Sequence, residues 1–409
     1  MSVRVAVTGL GCVSALGQGV QTNWSKLKDG VTGIRRLSEP HPDQPRLSKE
    51  GPAAVVDGID ATAVEAYAGR KVTAQLDPVA AYAVVATHEA LSDAGLIGDA
   101  AALASTFIVY GGASGGNATM EDGYTRILLK GQSSVHPLTI PKTMSSAAVS
   151  QLSMIFGIKG VAFAISSACS SSAHAISEAA YMIRAGRTKV AIAGGCDASL
   201  NYGSWYSWLA LQAMATDTCR PFSIDRKGMV LGEGAASLVL EDYDHARARG
   251  ATIYAEIIGA GGSSDAGHLT APSVEGASAA VRAAYAESGI PTDTPVLVSA
   301  HGTGTPLNDK TETEVMRGIL TGGLDRHRVI ATKSAHGHLL GAGGAIEFLL
   351  GVLALREGVA PPILGYLGPD PECDLPLALG KTEAFEADAL VSNSFAFGGL
   401  NSVLIAKRA

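Results

Sequence analysis

The chain has 409 residues, 47% of them hydrophobic and 17% charged, enough to bury a large core and too weakly charged to stay disordered. A net charge of -7 with no Lys/Arg-rich stripe argues against a nucleic-acid partner. The longest apolar stretch, around Ile346 to Leu355, is too short to span a bilayer.

The opening, MSVRVAVTG, reads as a strand rather than a secretory leader. Further short β-branched runs follow in order: TFIVYGG, VAFAIS, KVAIAGG, ASLVLED, YAEIIGAG, VLVSAHG, VIATKS, ALVSNS and NSVLIAK. Between them lie Ala-rich stretches with helical spacing, at Pro78 to Ala94, Ser171 to Arg187 and Ala277 to Ser288. Strands alternating with helices predict an α/β fold whose sheets are covered on both faces. GEGAASLVLE (Gly232 to Glu241) is echoed by GGLNSVLIAK (Gly398 to Lys407), a glycine turn feeding an apolar strand, which suggests two similar halves dividing near Gly250: residues 1–250 and 251–409.

Three segments carry chemistry. SSACSSS (Ser166 to Ser172) joins the strand VAFAI to a helix-like stretch, placing Cys169 at a helix N-terminus where the helix dipole is expected to favour a thiolate. Its small neighbours let a carbonyl approach closely. Cys12, Cys196, Cys219 and Cys373 show neither metal-ligand spacing nor a disulfide rhythm and read as buried, reduced thiols of a cytosolic protein. SAHGTGTPLND (Ser299 to Asp309) puts His301 on a loop after an apolar strand, and TKSAHGHLLGAGG (Thr332 to Gly344) does the same for His336 or His338, which spacing alone does not separate.

SSACSSS, HGTGTP, TKSAHGHLLGAGG and NSFAFGG resemble, in that order, the signature segments of elongating β-ketoacyl-acyl-carrier-protein synthases, and DTCRPFSIDRKGMVLGEGA is similar to the family's mid-chain segment. The resemblance runs from Val5 to the C-terminus. It implies the thiolase fold, two similar βαβ-containing halves in a five-layer α-β-α-β-α arrangement. It implies Cys169 as the acylated nucleophile, and His301 and His338 as the pair that binds the malonyl thioester carbonyl and stabilises the enolate left by loss of CO₂. Lys333 would order the site with Glu347 as partner, and Thr303 and Thr305 would hold the pantetheine arm. Phe397 would gate the acyl pocket, its N–H completing an oxyanion hole with that of Cys169. His336 has no catalytic counterpart. The implied partners are an acyl carrier protein, which brings the phosphopantetheine so that no other cofactor is needed, and a second subunit, either a copy of the chain or a chain-length-factor-like protein.

Three departures from common fatty-acid members bear on substrate. Ala396 replaces a glycine in the gating segment and should stiffen it. Ala113 stands where a bulky aliphatic often narrows the acyl channel. Basic residues for carrier docking look thin: Arg70 and Lys71 remain, but Gln132, Ser133 and Ser134 occupy a stretch that is often basic. Together with WYSWLALQAMATDTCRPFS, these features look most like specialised members of aryl-polyene, nodulation-factor or other polyene pathways.

Rival readings are weaker. Gly112 to Gly116 matches Gly-x-Ser-x-Gly after a strand, so Ser114 with His301 and Asp265 mimics a serine hydrolase. That leaves SSACSSS and the paired histidine loops unexplained. Gly9 to Gly11 lacks the third glycine and the acid of a dinucleotide fold. A thiolase would carry a second cysteine where NSFAFGG stands, initiating enzymes carry Asn in place of one His, and a chain-length subunit would lack Cys169.

Overall fold

The computed structural model of the chain describes residues 3–69 and 71–409. Arg70, one of the two basic residues expected to dock a carrier, lies outside the described residues, whereas Lys71, Gln132, Ser133 and Ser134 are exposed.

Ten strands build the body, labelled in chain order. The first five are β1 (Val5–Ser14), β2 (Phe107–Gly111), β3 (Ala162–Ile165), β4 (Val190–Asp197) and β5 (Gly234–Asp242). The second five are β6 (Ala255–Ser264), β7 (Val296–Ser299), β8 (Arg328–Ile330), β9 (Ala389–Ala396) and β10 (Leu400–Lys407). Across the sheet they run β8-β7-β9-β10-β6-β1-β5-β4-β2-β3. Within each set of five the order is therefore first, fifth, fourth, second, third. The directions repeat too: the first two pairings are antiparallel and the last two parallel in both sets. The two echoing segments fall on β5 and β10, the fifth strand of each repeat.

Helices cover this framework in layers. Helices Pro78–Asp93 and Ala147–Phe156 cover the outer face of the first half, and Val274–Ser288 and Pro306–Ile319 that of the second. Between the half-sheets lie Ser171–Arg184 and Gly343–Glu357, each touching strands of both. This is the five-layer thiolase-like fold. The two half-sheets also meet edge to edge, where Val5, Ala6 and Val7 of β1 pair antiparallel with Ile257, Glu256 and Ala255 of β6.

Local chemistry explains the central layer. Gly343–Glu357 is buried from Gly343 through Leu355, so it is apolar all round rather than striped. A side chain at Gly344 would lie 2.9 Å from the Cβ of Ala173 and 2.9 Å from Ser394 Oγ, so glycine is what lets the central helices touch each other and β9. The outer helices start conventionally: Asp77 Oδ1 accepts from Val79 N–H at 3.1 Å with Pro78 in the first turn, and Thr305 precedes Pro306 in the same way. Among the described residues no helix is long and apolar enough to cross a membrane.

Candidate active site

Cys169 sits in a single 3-10 turn, Ala168–Ser170, between β3 and helix Ser171–Arg184. Ala168 has φ +53°, an uncommon conformation for a residue with a Cβ. The serines of the segment hold it. Ser167 N–H donates to Ser171 Oγ at 2.9 Å, Ser171 Oγ donates to the Ala168 carbonyl at 2.7 Å, and Ser170 Oγ donates to the Ser167 carbonyl at 2.8 Å.

His301 follows β7 on a loop clamped from behind. Glu312, on helix Pro306–Ile319, accepts from His301 N–H at 2.8 Å, Gly302 N–H at 2.9 Å and Asn393 Nδ2 at 3.0 Å. His338 is held by its backbone, donating to the Val230 carbonyl at 2.7 Å and accepting from Gly232 N–H at 2.9 Å. The segment Met229–Gly232 thus positions a residue more than a hundred positions later.

Cys169 Sγ and one nitrogen from each of His301 and His338 all lie within 4.8 Å of one another. The two imidazoles stand nearly perpendicular, with centroids 5.5 Å apart. Hydrogen bonds assign their tautomers. His338 Nδ1 accepts from Leu340 N–H at 3.3 Å, so its proton is on Nε2, which points at Cys169 Sγ from 3.1 Å. His301 Nδ1 lies 3.3 Å from the Lys333 ammonium, a donor, so its proton is likewise on Nε2. Lys333 also donates to the His301 carbonyl at 2.5 Å and pairs with Glu347, both side chains being buried. Two neutral N–H donors therefore converge where the sulfur ends.

The electrostatics follow from burial beside one cation. Burial first, then the charge of Lys333, hold both His301 and His338 well below the usual histidine range. Burial pushes Glu347 up to about 7 against the pull of Lys333. Burial also pushes the Cys169 thiol up to about 11, although Lys333 and the Phe397 backbone N–H both favour the thiolate. Burial thus works against the thiolate expected from the helix start: desolvation of the sulfur anion opposes the nearby cation.

The other predicted residues fall into place unequally. Thr303, Thr305, Ala396 and Phe397 line, together with Cys169, His301 and His338, a cavity of about 330 Å³. Thr303 Oγ1 and Thr305 Oγ1 are 2.8 Å apart. Ala396 has φ −101°, extended backbone that any residue adopts, while Gly398 at φ +80° carries the turn of the gating segment. Ala113 does not line this cavity; it packs against the cluster that contains Cys169, Leu200 and Leu340. His336 turns away, bonded to Thr332 Oγ1 at 2.9 Å and the Gly337 carbonyl at 2.8 Å.

The hydrolase constellation is not assembled. Ser114 Oγ has Asn117 Nδ2 at 3.0 Å, Ser199 Oγ at 3.2 Å and Asp197 Oδ1 at 3.3 Å as neighbours, and Asp265 is taken by Asn401 Nδ2 at 2.7 Å and Ser273 N–H at 2.9 Å.

Sequence reading missed Glu312, Asp309, Asp197 and Trp208. Asp309 accepts from Phe222 N–H at 2.8 Å and Gly304 N–H at 3.2 Å, and burial pushes its carboxyl up to about 6. Asp309 and Glu312 are spaced i, i+3 on one helix face, a signal available in the sequence once that face is known to be buried. Asp197 accepts from Ala113 N–H and Gly341 N–H, both at 3.2 Å, tying the two loops behind the site. The indole of Trp208 stacks on Phe397 with centroids 6.0 Å apart and planes 25° from parallel.

Comparison with known proteins agrees with this geometry. Residues 2–246 match the β-ketoacyl synthase N-terminal domain and residues 254–367 the β-ketoacyl synthase C-terminal domain. The chain is 40% identical over 413 residues to nodulation protein E of Rhizobium meliloti (strain 1021), covering 100% of both chains. It is 34% identical over 415 residues to 3-oxoacyl-[acyl-carrier-protein] synthase 2 of Staphylococcus aureus (strain MRSA252), covering 100% of this chain and 99% of that one. The solved ishigamide ketosynthase/chain length factor superposes with a TM-score of 0.92 at 28% identity, covering 100% of each chain. With both halves matched in order and relatives this similar along their whole length, the chain belongs to the β-ketoacyl synthase family, the condensing enzymes that build 3-oxoacyl groups on acyl carrier protein.

Proposed function

We propose that the chain extends long or conjugated acyl groups carried by an acyl carrier protein in a specialised, nodulation- or polyene-type pathway of the cytosol, with the work divided among its residues as follows. Cys169 attacks the carbonyl of an acyl thioester; the acyl group moves to Sγ and the thiol proton leaves with the carrier sulfur. Malonyl thioester then enters by the same cavity and loses CO₂. The electron pair of the broken C–C bond delocalises onto the thioester oxygen, where the Nε2–H groups of His301 and His338 receive it. The enolate carbon attacks the Cys169 thioester, whose oxyanion meets the N–H groups of Cys169 and Phe397, and the sulfur leaves as a thiolate that takes up one proton from water. One oxyanion donor supplies about 3 kcal/mol in comparable sites. Lys333, paired with Glu347, holds His301 in the donating tautomer, and Thr303 and Thr305 contact the arm.

The observation that carries this reading is the convergence of two neutral imidazole N–H groups on a cysteine sulfur at the end of one cavity. The identity to nodulation protein E, 40% against 34% for the synthase 2 relative, supports the specialised pathway. A second subunit, a copy of the chain or a chain-length-factor-like protein, would cover the exposed apolar face of residues 120–144. The division near Gly250 into two units belongs to the same reading.

Intact mass spectrometry after mixing with acyl- and malonyl-carrier thioesters tests it. Cys169→Ala should take no acyl group. His301→Ala and His338→Ala should still load acyl chains yet release CO₂ from malonyl thioester about 100- to 1,000-fold more slowly. An acyl group found on another cysteine or on Ser114, or normal decarboxylation by the histidine variants, would sink the assignment.

A further inference from the structure

Among the described residues, Lys227 is the only lysine or arginine lining the cavity that ends on Cys169. Cys169 is buried at one end, whereas Lys227 is exposed, so the lysine stands at the open mouth. Its backbone is fixed on both sides. Arg226 is buried and reaches the carbonyls of Pro306 and Ser223, each at 3.2 Å, and the carboxylate of Asp370. Gly228 N–H donates to the Gly304 carbonyl at 3.0 Å, which couples Lys227 to the very loop that carries Thr303 and Thr305.

The ammonium itself is uncommitted. The nearby acid, Asp217, is paired with Arg220 at 2.5 Å, and among the described residues Lys227 forms no ion pair. Also exposed in the lining of the same cavity is His268, whose Nδ1 accepts from Thr270 N–H at 3.1 Å and Ala271 N–H at 3.2 Å. Its proton is therefore on Nε2, free for a ligand. A cation and an N–H donor at the mouth, hydroxyls midway and a thiol at the floor match the charge order of one molecule: a phosphate, an amide-bearing arm and a thioester.

We propose that Lys227, assisted by the Nε2–H of His268, binds the phosphate of the phosphopantetheine arm. This rests on the condensing reading above. It also explains how a chain of net charge -7 admits an anionic substrate without a broad basic docking face. A lysine contributes here as a point charge.

The test compares two small thioesters that differ only in the phosphate, hexanoyl-4′-phosphopantetheine and hexanoyl-pantetheine, as acyl donors to Cys169 followed by intact mass. The readout is the ratio of second-order loading rates on each enzyme form. The wild type should prefer the phosphorylated donor roughly fivefold at low ionic strength, with the preference shrinking as salt is added. Lys227→Ala should bring the ratio close to one, and Lys227→Glu should invert it. A ratio in Lys227→Ala equal to the wild type's overturns the proposal and leaves the condensing reading intact. A wild-type Cys169 that neither donor acylates overturns both.

Discussion

At the scale of single residues, the site is defined by protonation states more than by residue types. His301, His338 and Cys169 are all neutral at pH 7 because burial disfavours every charged form and Lys333 disfavours the imidazolium further. Neutral imidazoles suit the task, since the developing charge is an enolate that needs donors, not a second pair of cations beside Lys333. The thiol is the side that yields. With Cys169 titrating at about 11, the thiolate fraction rises about tenfold per pH unit through the neutral range. Alkylation of Cys169 by iodoacetamide, followed by peptide mapping, should therefore still be climbing at pH 9. A plateau below pH 8 would mean that Lys333 and the Phe397 N–H outweigh burial.

At the scale of elements, the gating segment and one helix act as a unit. β9 ends at Ala396, Gly398 turns the chain with its N–H bonded to the Leu269 carbonyl at 2.8 Å, and Phe397 lies stacked on Trp208 of helix Tyr202–Ala210. Trp208 lines both the Cys169 cavity and a separate open groove of about 490 Å³ that includes Met120, Tyr124 and Leu128. The stacked rings thus stand as a partition between the reacting sulfur and an apolar groove. Ala396 opposes any swing of the segment that needs positive φ, although it costs nothing in the extended state observed. Trp208→Ala should raise the ratio of hexadecanoyl to hexanoyl loading about tenfold, the scale of a few methylenes of pocket. An unchanged ratio would show that the ring pair does not limit chain length.

At the scale of the whole molecule, one face is unfinished. Tyr124 is 60% exposed, Leu128 74% and Ile140 70%, and strand β3 presents its outer edge at the end of the sheet. Exposed apolar patches and open strand edges are both features that monomers usually avoid. A subunit of similar fold seated there would cover both, and would close the groove reached past Trp208. Sedimentation velocity on the wild type and on Leu128→Glu measures this. The expected outcome is an assembled wild type, with itself or with a chain-length-factor-like partner, and a dissociated variant. Equal assembly of both forms would place the interface elsewhere.

Much of this protein is legible in its residues alone. The strand runs, the central helices and the echo of β5 in β10 are local patterns of apolarity and glycine, and they specify an α/β fold with a repeated topology because periodicity is set by the backbone. Cys169, His301 and His338 are legible because small-residue turns after strands mark loops that carry chemistry. Other facts needed the tertiary structure. Spacing leaves His338 and His336 open and the resemblance picks the former, but its position comes from contacts between distant segments, the bonds that Val230 and Gly232 make to its backbone. The anchoring roles of Glu312, Asp309 and Asp197 exist because helix and loops from remote positions meet in a buried place where backbone N–H groups need acceptors. Burial, which raises the Cys169 thiol against the anion expected from its helix start, is a property of the packed molecule that no local segment encodes.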